Sequence, residues 1–130
     1  MLFRSSNGTG SNNISLGDLT LSSNTSGSNN ISLGKCSLSS NTSGFNNIAI
    51  GYKSLSGNTT GSYNIVFGCE AQSNFSNSVV IGRGAAANAS NQFVIGSSTH
   101  IVGTVTAESC SSTGTWTVWI NGVQKKILLA

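Results

Sequence analysis

The residues able to do acid–base or nucleophilic chemistry are few and scattered. There is one histidine, His100, and the carboxylates are Asp18, Glu70 and Glu108. A Ser-His-Asp centre needs its three groups held together. No spacing draws these side chains towards one another, so the chain is expected to be no enzyme and to need no cofactor. Cys36, Cys69 and Cys110 are odd in number and share no metal-ligand spacing, which argues against a disulfide framework. They are expected as free thiols, in keeping with assembly in a reducing compartment. A lone histidine is usually a solvated or capping residue; only if three chains brought three copies of His100 onto one axis would it become a metal candidate. For ligand binding the handles are Phe45, Tyr52 and Tyr63, which interrupt otherwise polar stretches, because sugars and surface polymers stack on exposed rings. The alternative for each is a packing contact between neighbouring repeats or chains.

The elements that would position these groups are foreshadowed by composition. Of 130 residues, 7% are charged and 37% hydrophobic, with no proline and 16 glycines. Disordered chains stay soluble through charge and proline, whereas this mixture of Ser, Asn, Thr and Gly fits tightly turning β structure. The net charge of +3 has no basic cluster beyond Lys125-Lys126, so nucleic acid is not an expected partner. No apolar run approaches the roughly 20 residues needed to span a membrane, so no membrane insertion is expected.

The sequence repeats. Asn12-Asn13-Ile14-Ser15-Leu16-Gly17 recurs as residues 29–34 and, with variation, as 46–51 and 63–68. The closing glycines Gly17, Gly34, Gly51 and Gly68 are 17 apart (34 − 17, 51 − 34, 68 − 51), and Gly82 and Gly96 follow at steps of 14 (82 − 68, 96 − 82). Between them lie turn-like spacers such as Ser22-Ser23-Asn24-Thr25-Ser26-Gly27. Losing three residues would turn a helical repeat off its face, but a coil of strands loses them from a turn and keeps its register. Apolar and polar residues alternate with period two (Ile14, Leu16, then Leu19, Leu21), the mark of β-strands. Rungs of 14–17 residues, each with two short strands and two turns, would stack at about 4.8 Å. The fold class expected is an all-β parallel solenoid over residues 1–100.

The face formed by Ile14, Leu16, Ile31, Leu33, Ile48, Ile50, Ile65, Phe67, Val79, Ile81, Phe93 and Ile95 is apolar throughout and is expected to line the solenoid core. The opposite face, Ser15, Ser32, Ala49, Val66, Val80 and Val94, turns from polar to apolar along the chain. A strand apolar on both faces is covered on both sides, and each exposed valine would forgo about 1.5 kcal/mol. Ala49, Val66, Val80 and Val94 are therefore expected to pack on the axis of a parallel oligomer. Asn13, Asn30, Asn47 and Asn64 should form an amide ladder, and Lys53 and Glu70 should stack as opposite charges.

Asn-Ser-Val-Val-Ile-Gly (77–82), Asn-Gln-Phe-Val-Ile-Gly (91–96) and Asn-Asn-Ile-Ala-Ile-Gly (46–51) resemble the head repeats of the YadA-like trimeric autotransporter adhesins. The same repeat type occurs in fibre proteins of phages and large DNA viruses. The resemblance covers about residues 10–100 and implies a left-handed parallel β-roll, three chains about one axis, and a role in adhesion or attachment. The coiled-coil stalk and membrane anchor of the autotransporters have no counterpart here, and the residues from Met1 to Arg4 lack the apolar core of a signal peptide. The expectation is a cytosolically made virion or phage fibre part, or a fragment of a longer surface protein, with the bacterial cell surface as the alternative location.

Residues 101–130 differ in kind. Two alternating runs, Thr115–Ile120 and Val123–Leu129, flank Asn121-Gly122, a strong hairpin signal. Solenoids need their last rung protected, so this segment is expected to be a linker and a C-terminal β-hairpin cap with Trp116 and Trp119 packed between chains. The expected function is a structural or adhesive module of a trimeric surface or virion fibre, attaching to a host glycan or protein. The alternatives are a spacer or self-assembling filament subunit, and an ice-binding solenoid that would use Thr25, Thr42 and Thr59. Sequons at Asn24, Asn41 and Asn58 would matter only in a eukaryotic secretory pathway.

Overall fold

A computed structural model of the chain describes residues 8–97 and the backbone of two later strands, 115–120 and 123–128. The described residues form strands and turns without a helix. In chain order the strands are β1 (Ile14–Leu16), β2 (Ile31–Leu33), β3 (Ile48–Ile50), β4 (Ile65–Phe67), β5 (Gln72–Ser73), β6 (Val79–Ile81), β7 (Ala86–Ala87), β8 (Phe93–Ile95), β9 (Thr115–Ile120) and β10 (Val123–Leu128).

One wall of the solenoid is a parallel sheet in the order β1-β2-β3-β4-β6-β8. Its register matches repeat to repeat: Ile14, Ile31, Ile48, Ile65, Val79 and Phe93 stand in one column, and Leu16, Leu33, Ile50, Phe67, Ile81 and Ile95 in another. The strands are short because the chain bends at both ends. An asparagine with φ between 54° and 63° opens five of the six motifs, and a glycine closes each strand. At Gly51, φ is 134° and a Cβ would sit 2.6 Å from the Gly68 carbonyl oxygen, so only glycine fits. The pairing is maintained beyond the strands, as when Ile48 N donates to Asn64 O (2.8 Å) and Gly68 N to Ile50 O (2.9 Å).

The opposite wall differs between turns. In the three 17-residue turns the expected second strand is absent. Leu19 is exposed at φ 56°, and Leu21, Leu38 and Leu55 bend inward at φ 48–52°, fully buried. A left-handed leucine costs roughly 1–2 kcal/mol, and burying the side chain offsets this with about 1.5–3 kcal/mol. In the two 14-residue turns the wall does contain strands: β5 pairs with β7, Gln72 opposite Ala86 and Ser73 opposite Ala87.

Inside and outside are the reverse of the sequence expectation. Ala49, Val66 and Val80 are 0% exposed within the single chain, Ser15 and Ser32 are buried beside them, and Val94 packs against the same core. These residues fill the solenoid and do not stand on an inter-chain axis. The supposed core residues face out: Ile14, Leu16, Ile65, Phe67, Ile81, Phe93 and Ile95 are exposed, while Ile31, Leu33, Ile48, Ile50 and Val79 are intermediate. The reason is volume. In the long turns the interior holds Leu21, Leu38 and Leu55 from the opposite wall and the sheet adds Ser or Ala; in the short turns the wall supplies Ala71 and Ala85 and the sheet adds Val, whereas the outer columns vary from Val to Phe.

Two amide ladders run along the solenoid. Asn30, Asn47 and Asn64 each donate through Nδ2 to Oδ1 of the asparagine one turn earlier, in every case at 3.1 Å. Each also reaches across to a carbonyl of the far turn: Gly44 O, Gly61 O and Phe75 O respectively. This is the ladder expected from Asn13, Asn30, Asn47 and Asn64. A second ladder, Asn24, Asn41 and Asn58, lies in the spacers. Where the turns shorten, Ser78 N and Ser73 Oγ take over at Asn64 Oδ1 (3.1 and 3.3 Å), but Asn58 Oδ1 is left buried without a partner.

β9 and β10 pair antiparallel, Ile120 opposite Val123 and Thr115 opposite Leu128. Asn121 and Gly122 lie outside the described residues, as do His100, Glu108, Cys110 and the side chains of Trp116 and Trp119.

Candidate functional site

The feature best suited to act on something outside the chain is the outward face of the parallel sheet. Period-two alternation sends Ser15, Ser32, Ala49, Val66, Val80 and Val94 inward, so their neighbours must point out. Two columns of aliphatic and aromatic side chains thus run the length of the sheet, about 24 Å at a strand spacing of about 4.8 Å. No charged residue interrupts either column. Ile14 is 57% exposed and Phe93 69%, at the two ends of the stack. Large contiguous apolar patches are uncommon on the surface of monomeric proteins.

Charged groups lie at the margin where the strands end. Asp18 and Lys35 follow β1 and β2 and form an ion pair at 3.4 Å, both largely exposed. An exposed pair of this kind contributes about 1 kcal/mol at most. Lys53 and Glu70 occupy adjacent rungs as expected, but the stacking charges take another form. Lys53 Nζ lies 5.4 Å from the centre of the Tyr52 ring, and the ion pair among the described residues is Lys35–Asp18.

The three candidate ligand-binding aromatics do not form one patch. Phe45 and Tyr63 precede β3 and β4 and meet edge to face, ring centres 5.1 Å apart and planes at 77°. Tyr52 follows β3 and lies at the other margin of the sheet. Phe75, exposed and preceding β6, shares the margin of Phe45 and Tyr63 and was missed in the sequence reading. Its signal was a bulky residue where the earlier turns carry Gly27, Gly44 and Gly61.

Other candidates are engaged in holding rungs together. Thr25 Oγ1 donates to Thr42 O (2.9 Å) and Thr42 Oγ1 to Thr59 O (3.0 Å), so these hydroxyls are not a free array for ice. The sequon asparagines Asn24, Asn41 and Asn58 are buried in the second ladder, their amides closed to modification in the folded chain. Cys36 and Cys69 are free thiols of intermediate exposure, as expected. Among the described residues no group of His, Cys, Asp and Glu could hold a metal ion.

No family model matches the chain, and neither a curated protein nor a solved structure is similar to it.

Proposed function

We propose that the protein is a non-enzymatic module of a surface or virion fibre, built as a parallel trimer whose three sheets meet through their outward apolar faces. The observation that carries this reading is the uninterrupted pair of Ile, Leu, Val and Phe columns on the outside of the solenoid. A second copy of the chain is the natural cover. Set parallel, it repeats the same rung spacing layer by layer, and an uncharged face meets an equally uncharged one. Each of the seven exposed side chains per chain then gains about 1 kcal/mol from burial, set against the freedom lost on association. The number three, the left-handed sense of the coil and the attachment role come from the resemblance of residues 77–82, 91–96 and 46–51 to trimeric adhesin heads.

In this reading β9 and β10 cap the assembly at its C-terminal end, where the edge of β8 would otherwise offer unpaired backbone groups. The trimer presents its polar Asn/Ser/Thr turns outward as the surface for a host or neighbour.

Light scattering on the size-exclusion peak tests the assembly. Three chains of 13.3 kDa are expected. Phe67→Lys, which puts a charge in the middle of the face, should give a monomer that keeps its strand signal in circular dichroism. A wild-type protein that stays monomeric at all concentrations would refute the proposal.

A further inference from the structure

A step in the coil lies where the third 17-residue turn meets the first of 14. In the turns before it, the donors of each spacer close on one carbonyl of the next. Thr25 N, Thr25 Oγ1 and Ser26 N all donate to Thr42 O, at 2.9, 2.9 and 3.0 Å. Thr42 N, Thr42 Oγ1 and Ser43 N donate in the same way to Thr59 O, at 2.8, 3.0 and 3.2 Å. The third spacer is folded like the second. Asn58 N donates to Leu55 O and Asn58 Nδ2 to Gly61 O, as Asn41 N does to Leu38 O and Asn41 Nδ2 to Gly44 O. Thr59 N, Thr59 Oγ1 and Thr60 N therefore converge on one point a rung further on. The shorter turn passes straight from Asn74 to Phe75, whose carbonyl lies beside Gly61, and among the described residues nothing accepts from these donors.

A second group on the same ledge is unsatisfied. Asn24 Oδ1 and Asn41 Oδ1 each accept from the asparagine one turn on, at 2.9 and 3.1 Å, but Asn58 Oδ1 is buried without a donor. A buried acceptor left unpaired carries its full desolvation penalty. Thr59 and Thr60 are exposed, and exposed Asn74, which holds no side-chain hydrogen bond, borders the step beside Gly57. No charged residue occurs in 54–62 or 71–79. An anion would find donors there but no counter-charge, and it would stand beside the Asn58 oxygen. The ledge suits a neutral group that offers a carbonyl and an amide N–H together.

We infer that this step seats a short uncharged stretch of a partner polypeptide, of the Asn-Thr type. The site rests on the reading of the polar turns as the surface presented to a host or neighbour, and gives that surface one defined contact. The turns above show the occupant's chemistry, because the segment seated there is itself Asn-Thr. Its side-chain amide donates to the ladder oxygen, and its threonine carbonyl takes the three donors. Three residues span the step, the number by which the turn is short (17 − 14). Asn74 swings aside to admit them. Main-chain donors thus supply the affinity, as when a strand is added to a sheet edge. An assembly of several chains repeats the step once per chain at one level, so that weak contacts combine.

The test follows the amide resonances of the labelled full chain while the peptide acetyl-Ser-Ser-Asn-Thr-Ser-Gly-amide is added. Those of Thr59 and Thr60 should shift and saturate at roughly millimolar peptide, while that of Thr25 stays in place. Thr59→Val removes one donor and keeps the shape, and should weaken the peptide about tenfold. Thr25→Val removes a hydroxyl already engaged within the coil and should leave binding unchanged. A peptide with Ala for its Asn should also bind about tenfold more weakly, a readout that leaves the protein untouched. If the peptide moves neither amide, the inference fails and the fibre reading stands. If N-acetylglucosamine oligomers or sulfate shift Thr59 and Thr60 and the peptide does not, the step serves a saccharide or an anion and the inference also fails. Peptide binding by a protein that stays monomeric supports the step and refutes the trimer.

Discussion

Around Ser15 and Ser32 the solenoid is filled by hydrogen-bonded hydroxyls and amides; around Val66 and Val80 it is filled by methyl groups. In the first region Ser15 Oγ bonds Thr20 Oγ1, Ser32 Oγ donates to Ser37 O (2.9 Å), and Ser37 Oγ donates to Ala49 O (3.2 Å). In the second the facing residues are Ala71 and Ala85, both fully buried. Yet the outer columns and the backbone pairing continue unchanged across the junction. The comparison teaches that a coil this thin is specified by the size of its inward residues and by satisfaction of its polar atoms, and that hydropathy inside it is free to drift. A buried serine with a partner is tolerated, as is a valine without one.

The largest effect should come from placing an unpartnered charge in the dry region. Val80→Asp buries a carboxylate in the cluster of Val66, Ala71, Ala85 and Ala87 and should unfold the C-terminal rungs, a loss of several kcal/mol in urea denaturation at fixed protein concentration. Tolerance of Asp there would mean that the interior is wet along its whole length, and the contrast would vanish. An intermediate effect is expected along the ladders. Asn47→Ala removes bonds to Asn30 Oδ1 and Gly61 O and orphans Asn64 N, for about 3 kcal/mol. Asn58→Ala should cost about half as much, because its Oδ1 already lacks a partner at the point where 17-residue turns give way to 14. Equal losses would show that the junction is not a weak point. The smallest effect is Ser32→Ala, which copies Ala49 of the next rung and should change stability by about 1 kcal/mol in the same assay.

Much of the architecture was legible in the residues. The glycine spacing of 17 and then 14 gave the rungs, and the register they imply is the observed one, Ser32 opposite Ala49 and Val66 opposite Val80. The first asparagine ladder followed from its period. The second strand of each long turn was misread, because Leu19 and Leu21 alternate like strand residues while both adopt left-handed φ. Nothing in the local pattern distinguishes a leucine that points inward from a turn from one that points inward from a strand. The Asn24–Asn41–Asn58 ladder was passed over as a spacer, since Asn/Ser/Thr/Gly composition reads as loop whether its amides are buried or wet.

What the sequence determined by itself is period, register and polarity of the repeat: identical motifs at fixed intervals can stack only one way if every backbone N–H is to find the carbonyl of the next rung. What the tertiary structure decided is which face of each strand is inside. Alternation supplies two faces and no sign, and hydropathy points to the wrong one here. The sign is set by the narrow space between the two walls: in the long turns Leu21, Leu38 and Leu55 leave room for Ser or Ala, and where the small Ala71 and Ala85 stand opposite instead the sheet adds Val, while the larger Ile and Phe face outward.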